Sequence, residues 1–426
     1  MNVMLRIAKK VYLIMFCLTL FGGGGVFAMD SDSHKALRHD ARVSSVDYSP
    51  DDSLLMAECC FDNSFRIWNI EDGTVNKFET DITPLHGCFL DNDYILVWSS
   101  SSFPFLPEIR KVLSGDLVIT SGERLGQCSE VFVSSDRKRF LTIKKGYTEE
   151  TTITVWDFTI EGDSFYLNKV AETSEYAAKI CAFNGNSIIA SLKRRDSSID
   201  EVAFLQIEDG SIVYKRGIKP IVKYDVVDAY CDKQSALVVL KHKKGHYLFD
   251  LVDEEEVRMF RDVLNQKGIL GCKIICDRLF VIFKNRIEAY GFETAVVEEG
   301  FRQINARRAT TARGRMKSRI IVSKEVEVKT MGFPAKFELS RTAPFFSDGL
   351  IGVCLCQSGF IPQQHKVLLF DFIHGVFVCL ESHNAVYGIA ISPNRKTCVL
   401  LEDSTLVQLF DLTKDSEWHA GIAVRD

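Results

Sequence analysis

The 426-residue sequence predicts an all-β protein on three observations: short apolar runs, a recurring turn, and a period. Apolar runs of about four to eight residues alternate with turn clusters throughout, and no long stretch carries helical spacing. Acidic or glycine-bearing turns recur as IEDG at 70–73, LSGD at 113–116, IEGD at 160–163 and IEDG at 207–210. Looser versions follow as VDEEE at 252–256, GFET at 291–294, FIHG at 372–375 and LTKD at 412–415. Most lie about 39 to 48 residues apart, and one interval is about twice that. A period of ~40–45 residues with four strands per unit marks the blade of a β-propeller. A lone four-stranded sheet leaves both faces wet; radial stacking buries each face on a neighbour. The prediction is therefore a single β-propeller of four-stranded antiparallel blades. Eight units are counted, with seven the alternative if two weak units are parts of one.

From the N-terminus, residues 1–28 read as an export signal. Arg6, Lys9 and Lys10 form a basic region, and VYLIMFCLTLF at 11–21 an apolar one. GGGGVFA then places Val26 and Ala28 at the −3 and −1 positions of a cut before Met29. The apolar run is shorter than the roughly 20 residues of a membrane span, which favours a cleaved signal over an uncleaved anchor. Cys17 follows Phe16 rather than a small residue, against lipoprotein processing. No later segment is apolar enough to span a bilayer. Cleavage leaves a short lead at 29–36 and a propeller over 37–426. It removes three positive charges and takes the net charge from −5 to −8. That acidity argues against general nucleic-acid binding.

Twelve of the thirteen cysteines follow the signal. An even count in an exported chain permits disulfides. Most, however, sit in apolar runs such as IGVCLC and GCKIIC, where Cys acts as a small core residue. Free, buried thiols are the favoured reading, and they point to a final compartment that is not oxidising.

The unit LRHDARVSSVDYSPDDSLLMAECCFDNSFRIWNIEDG, residues 37–73, has a His before its first strand, V-x-Y-S-P-D after it, and D-x-x-x-R-I-W-N at its third. It resembles the WD-repeat family. His39, Asp62 and Trp68 fall on the His, Asp and Trp of that family's structural hydrogen-bond relay. The relay's strand Ser/Thr is missing, and Glu58 and Cys60 occupy its neighbourhood. A second match is LESHNAVYGIAISPNRKTCVLLEDSTLVQLFDL, residues 380–412, with His383 and a Phe410–Asp411 pair for Trp-Asp. A third is SEVFVSSDRKRFLTI leading to TITVWDF, residues 129–158, with Trp156–Asp157. The other units keep the period and lose the motif, so the resemblance covers 37–415 in period and three units in motif. In the family these residues are structural, and the commonest ring has seven blades. The resemblance implies a binding platform for protein partners that uses its top-face loops. A monomer without a cofactor is expected. Two segments are candidates for the outer strand that closes the ring: EWHAGIAV at 417–424, or residues 33–38.

The double-length interval holds RQINARRATTARGRMKSR, residues 302–319. Arg302, Arg307, Arg308, Arg313, Arg315, Lys317 and Arg319 stand there without an acid. On an acidic chain this suggests a loop for an anionic partner, whether phospholipid, nucleic acid or an acidic protein face. The alternative is a solvated insertion. The lack of interleaved aromatics weighs against single-stranded nucleic acid. KHKKGHYLFD sets His242 and His246 either side of a turn, but half a ligand set is not a metal site. No GxSxG, HExxH, GxxxxGK or dinucleotide fingerprint occurs, so no catalytic residue, metal or cofactor is assigned. The function expected is an exported, non-enzymatic scaffold for a protein partner. Its expected location is periplasmic or secreted, with delivery into a host cell suggested by the thiols. The alternative is a propeller enzyme or cofactor binder (a quinone-dependent dehydrogenase, hydrolase or lyase) with a site in the central channel.

Overall fold

The computed structural model describes residues 34–420 apart from 40–42, 60–63, 81–84, 100–105, 119–120, 123–124, 146–150, 162–163, 175–176, 194–200, 219–223, 233–234, 244, 253–254, 257–260, 276–277, 292–294, 297–317, 320–327, 333–336, 340–344, 348–349, 358–364, 372–375, 383, 403–405 and 414–418. Strand β1 (His34–Arg38) comes first but belongs to the last sheet. Blade 1 is β2 (Val43–Tyr48), β3 (Leu54–Cys59), β4 (Ser64–Asn69) and β5 (Val75–Glu79). Blade 2 is β6 (Leu85–Phe89), β7 (Tyr94–Ser99) and β8 (Glu108–Lys111), with its fourth strand reduced to a bridge between Arg110 and Leu117. Strand β9 (Ser121–Gly122) then crosses to the outer strand of blade 3, which is β10 (Glu130–Val133), β11 (Arg139–Lys145), β12 (Thr151–Glu161) and β13 (Ser164–Thr173). Blade 4 is β14 (Ala177–Asn184), β15 (Ser187–Lys193), β16 (Glu201–Glu208) and β17 (Ser211–Ile218). Blade 5 is β18 (Asp225–Cys231), β19 (Ala236–His242), β20 (Gly245–Asp250) and β21 (Glu255–Glu256), followed by the short helix α1 (Arg261–Leu264).

Blade 6 is β22 (Ile269–Ile275), β23 (Arg278–Phe283) and β24 (Arg286–Gly291). A small hairpin, β25 (Ala295–Val296) with β26 (Ser318–Arg319), intervenes before the fourth strand, β27 (Val328–Gly332). The double-length interval is therefore an insertion inside one blade. In blade 7, β28 (Phe337–Leu339) and β29 (Phe345–Ser347) both pair with β30 (Leu350–Gln357), followed by β31 (His365–Asp371) and β32 (Val376–Ser382). Blade 8 is β33 (Val386–Ile391), β34 (Thr397–Glu402) and β35 (Leu406–Asp411), completed by β1 with His34 opposite Phe410. The remaining strand, β36 (His419–Ala420), adds to β32 on blade 7. Of the two candidate segments, the N-terminal one supplies the outer strand of the last blade.

Eight apolar clusters among the described residues show that these sheets form a closed ring, because each cluster joins two consecutive blades. Met56, Phe65 and Ile67 of blade 1 meet Phe89, Ile95 and Val97 of blade 2. The series continues between blades 2 and 3, 3 and 4, 4 and 5, 5 and 6, 6 and 7, and 7 and 8. The eighth cluster closes it: Val399, Leu401 and Leu409 of blade 8, with Leu37, pack on Tyr48 and Leu55 of blade 1. At the same seam the Asn394 amide donates to Asp52 at 3.0 Å, and the Thr397 hydroxyl to the Tyr48 hydroxyl at 3.2 Å. The first strand of each blade is innermost: β2 touches both β6 and β33, and β18 both β14 and β22. With strands this short and every face covered, the exposed edges are confined to the rim.

One turn design explains why YSPDD and ISPNR occur at opposite ends of the chain. Between the first and second strands of blades 1, 3 and 8, a Ser hydroxyl donates to the carboxylate or amide oxygen two residues on: Ser49 to Asp51, Ser134 to Asp136 and Ser392 to Asn394. Each Ser oxygen also accepts the amide five residues on, of Leu54, Arg139 and Thr397 respectively, at 3.0 Å. The residue that completes each turn, Asp52, Arg137 or Arg395, is left-handed at φ 64, 56 and 59. Short polar side chains that bond their own backbone favour such turns. The acidic markers of the period are the turns between third and fourth strands. In the first, Asn69 caps the amides of Glu71 and Asp72, and left-handed Gly73 returns its amide to Asn69. Both kinds of turn lie at the same end of the blades, hereafter the turn face.

Candidate functional site

The relay residues separate blade 3 from blade 1. In blade 3 the Trp156 indole N–H donates to the Thr142 hydroxyl at 2.9 Å, inside the core. Thr142 lies two residues beyond the residue opposite the Trp: Trp156 pairs with Phe140, and Trp68 of blade 1 pairs with Leu55. The matching position in blade 1 is Ala57, next to Glu58 and without a hydroxyl. The Trp68 indole N–H accordingly finds no acceptor among the described residues. His39 is buried and meets the Trp68 ring edge-on, with centroids 5.6 Å apart. Phe410 stands in the Trp position of blade 8, and the residue matching Thr142 there is Leu400, so neither partner needs the hydroxyl. Asp62 and His383 lie outside the described residues. Asp411 caps its own turn by accepting from the Thr413 amide and hydroxyl.

Glu58 does something else. It is buried and points to blade 2, where it accepts the Gly87 amide and sits 3.5 Å from His86 Nδ1. The hydrogen bond to Glu58 raises the His86 pKa against the opposing effect of burial.

Two further carboxylates clamp innermost strands together. Asp47 on β2 accepts the Phe89 amide of blade 2 at 2.9 Å and pairs with Arg137 of blade 3 at 2.8 Å. Arg137 also donates to the carbonyls of Tyr48 and Phe89, so one guanidinium ties three blades. Four blades round the ring, Asp228 on β18 repeats the motif: it accepts the Ile274 amide of blade 6 at 2.6 Å and pairs with Lys273 at 2.8 Å. Burial raises the pKa of both carboxyls, and the cation and the amide oppose it. Sequence inspection missed both, although V-D at 46–47 and 227–228 in the two inner strands was the available signal.

On the turn face a polar cleft of about 640 Å³ runs across blades 3, 4 and 5. Blade 3 contributes Asp136 and Lys138 from its Ser-x-Asp turn, Arg139 from the start of β11, and Asp157 from β12 opposite it. Blade 4 contributes Asn184, Gly185 and Asn186, the tight turn between β14 and β15, and blade 5 contributes Asp232. Gly185 takes φ 54, as the first central residue of a two-residue hairpin loop often must. Arg139 grips Asp157 through two bonds of 3.2 and 3.0 Å and reaches the Asn186 side-chain oxygen across the blade boundary. Blades 4 and 5 are joined by Asn184 Nδ2 to the Cys231 carbonyl at 3.1 Å and by the Ser187 hydroxyl to the Asp232 carbonyl at 2.9 Å. Burial tends to raise the Asp136 pKa, but the Ser134 hydroxyl, the Lys138 amide and nearby cations outweigh it and hold the carboxyl below its ordinary value. Of the residues singled out in the sequence, only Asp157 lies in the cleft.

Of the basic insertion, only Arg319 lies in a described element, β26; Arg302, Arg307, Arg308, Arg313, Arg315 and Lys317 lie outside the described residues. His242 stands opposite Gly245 and His246 opposite Lys241, so the register does not set the two imidazoles against each other. Nine cysteines among the described residues are free thiols. Burial raises Cys128, Cys231 and Cys272 to about 12, which keeps them protonated and poorly nucleophilic.

This architecture defines a β-propeller protein. No family model and no curated protein matches the chain. Among solved structures it is similar to the Dos1 propeller, with a TM-score of 0.51 at 10% identity over 92% of this chain and 97% of that one. It is also similar to the WD40 domain of SCAP from fission yeast, with a TM-score of 0.47 at 11% identity over 90% and 99% of the two chains. The C-terminal WD40 domain of Sif2 matches with a TM-score of 0.48 at 8% identity over 89% and 97%. At such identities the likeness shows the fold alone, a β-propeller ring.

Proposed function

We propose that the chain is an exported, non-enzymatic scaffold that binds a protein partner. The observation that carries the reading is the rigid ring. Eight interlocked cores and a run of side-chain clasps hold the innermost turns of neighbouring blades in fixed relation. A fixed disc with polar loops on its faces is suited to recognition, because little ordering entropy opposes binding. Asp47 and Asp228 are each occupied by a cation and an amide within the wall, which fits a structural role better than acid–base work. The export signal at 1–28 assigns the mature chain to the periplasm or beyond it. The protonated, buried thiols suit a reducing destination such as a host cell. The basic stretch 302–319, inserted within blade 6, is a second docking element for an anionic partner surface.

The test is an affinity capture with residues 29–426 beside a chain lacking 302–319, read by mass spectrometry. A protein captured reproducibly by the full chain supports the scaffold, and its loss with the deletion assigns the contact to the basic stretch. A blank from both chains overturns the scaffold and moves the site to the channel and a small ligand.

A further inference from the structure

We propose that a basic corner where blades 5 and 6 meet, at the end of the blades opposite the turn face, receives a short acidic segment of the protein partner. The inference rests on the scaffold reading above. Three connections converge at this corner. The hairpin between β19 and β20 carries Lys241 and Lys243, the loop after α1 carries Lys267, and the hairpin between β23 and β24 carries Lys284 and Arg286. They touch one another. The Gly245 backbone lies so close to the Asn265 side chain that a Cβ there would collide with its oxygen. Arg286 Nη2 donates to Gln266 Oε1 at 3.2 Å, and the guanidinium lies 3.9 Å from the centre of the Phe283 ring. Leu264 and Phe283 also belong to the apolar cluster between blades 5 and 6. Core packing therefore fixes the corner before anything binds.

Charge selects the class of partner. The four lysines are exposed, and Lys241, Lys243 and Lys267 form no ion pair among the described residues. The described carboxylates at this end are Asp225, opposite Lys241 in the register, and Glu288, which Arg286 holds at 2.6 Å. Glu256 pairs with Phe249, toward the turn face. The corner is thus cationic on an acidic chain. Acids recur instead on the turn face, where Asp51, Asp72, Asp91 and Asp136 cap backbone amides of their own turns. A long polyanion such as nucleic acid is repelled by that acidic remainder, which favours a short protein segment confined to the corner. Contact chemistry is present beside the charge. Tyr224 lies against His242 and Tyr247, with ring centroids 5.3 and 6.0 Å apart, and all three are half-buried. A bulge between Ile269 and Gly271 leaves Leu270 57% exposed, three residues after Lys267. Tyrosines and an apolar anchor with a charged rim are the composition of an interface hot spot.

The test presents the intact mature chain to a phage-displayed library of random peptides, with oligothymidine and phosphatidylserine vesicles as parallel probes. One variant combines Lys241→Glu, Lys243→Glu and Lys267→Glu. A second combines Lys241→Arg, Lys243→Arg and Lys267→Arg. All three positions are exposed, so both variants should keep the parent urea midpoint. The expected result is enriched peptides rich in Asp and Glu. They should bind the glutamate variant at least about tenfold more weakly, bind the arginine variant as well as the parent, and weaken with added salt. Peptides without acidic residues, equal binding to the glutamate variant, or no enrichment at all overturn the proposal. Oligothymidine or vesicle binding that the glutamate variant loses, with no acidic peptide enriched, overturns it in favour of nucleic acid or a lipid surface. A captured protein partner that binds the glutamate variant as well as the parent removes the corner and leaves the scaffold standing.

Discussion

Blades 1 and 3 are built on the same plan and differ in one buried hydroxyl. Both have the Ser-x-Asp turn, and both carry a Trp on the third strand. In blade 3 the indole N–H meets Thr142; in blade 1 Ala57 stands at that position, and the indole goes without an acceptor among the described residues. Blade 1 instead has Leu37 of β1, the outer strand of blade 8, packed on Tyr48 and Leu55, the His39 edge contact, and clamps to blades 2 and 3 through Asp47. The difference teaches that a blade motif can lose its internal bond when neighbouring blades supply the restraint.

The largest effect is expected from Arg137→Met, which removes the tie among blades 1, 2 and 3. It leaves the Asp47 carboxylate without its cation and two carbonyls without their donor. A loss of about 3 kcal/mol is expected, read as a drop in the urea midpoint. Arg395 occupies the same turn position in blade 8, where its guanidinium lies 3.4 Å from the Asp371 carboxylate, against 2.8 Å between Arg137 and Asp47. Arg395→Met, which breaks the longer ion pair, should cost less than Arg137→Met. Equal costs would show that Arg137 is not a special tie.

Next comes the hydroxyl itself. Thr142→Val keeps the shape and strands the Trp156 N–H, at a cost of about 2 kcal/mol. The paired test is Trp→Phe in each blade. Trp156→Phe should cost about 1 kcal/mol more than Trp68→Phe, because only the first breaks a bond. The same unfolding titration reads both, and equal losses would remove the distinction between the blades. The converse repair, Ala57→Ser, supplies the missing acceptor and should raise stability by about 0.5–1 kcal/mol. A lower midpoint would mean that the site has no room for the oxygen.

The smallest effect is the pH dependence of the contact between blades 1 and 2. The folded-state pKa of His86 is raised above its ordinary 6.5 by Glu58. The pair's stabilisation is therefore fully present below 6.5 and lost as pH rises through the folded value. His86 is partly exposed, so the contribution is expected to stay under about 1 kcal/mol. The gap in urea midpoint between parent and His86→Gln should narrow from about pH 6 to about pH 8. A gap that widens would contradict the pair.

Much of the ring was legible because its signals are local. The marker turns end in glycine at 73 and 210 because the left-handed positions there, φ 76 and 77, favour it. The Ser-x-Asp turn is likewise written in five consecutive residues. Only the neighbourhood of the missing relay Ser/Thr was legible, because its position is defined by the cross-strand partner of Trp68, and the register of β3 on β4 cannot be read from one strand. The cleft was illegible because residues from Asp136 to Asp232 converge only when three blades stand side by side.

By itself the sequence determined the strands, the two kinds of turn and the period, and it left the count of units at eight or seven. Those depend on apolar alternation and on side chains bonding their own backbone. Only the tertiary structure decided that β1 closes the ring while β36 extends blade 7, that Asp47 and Asp228 clamp neighbouring blades, and that Asn184 and Asn186 tie blade 4 to the blades on either side. These depend on which strands become neighbours, and a neighbour's backbone is as good a partner as one's own once closure brings it within reach.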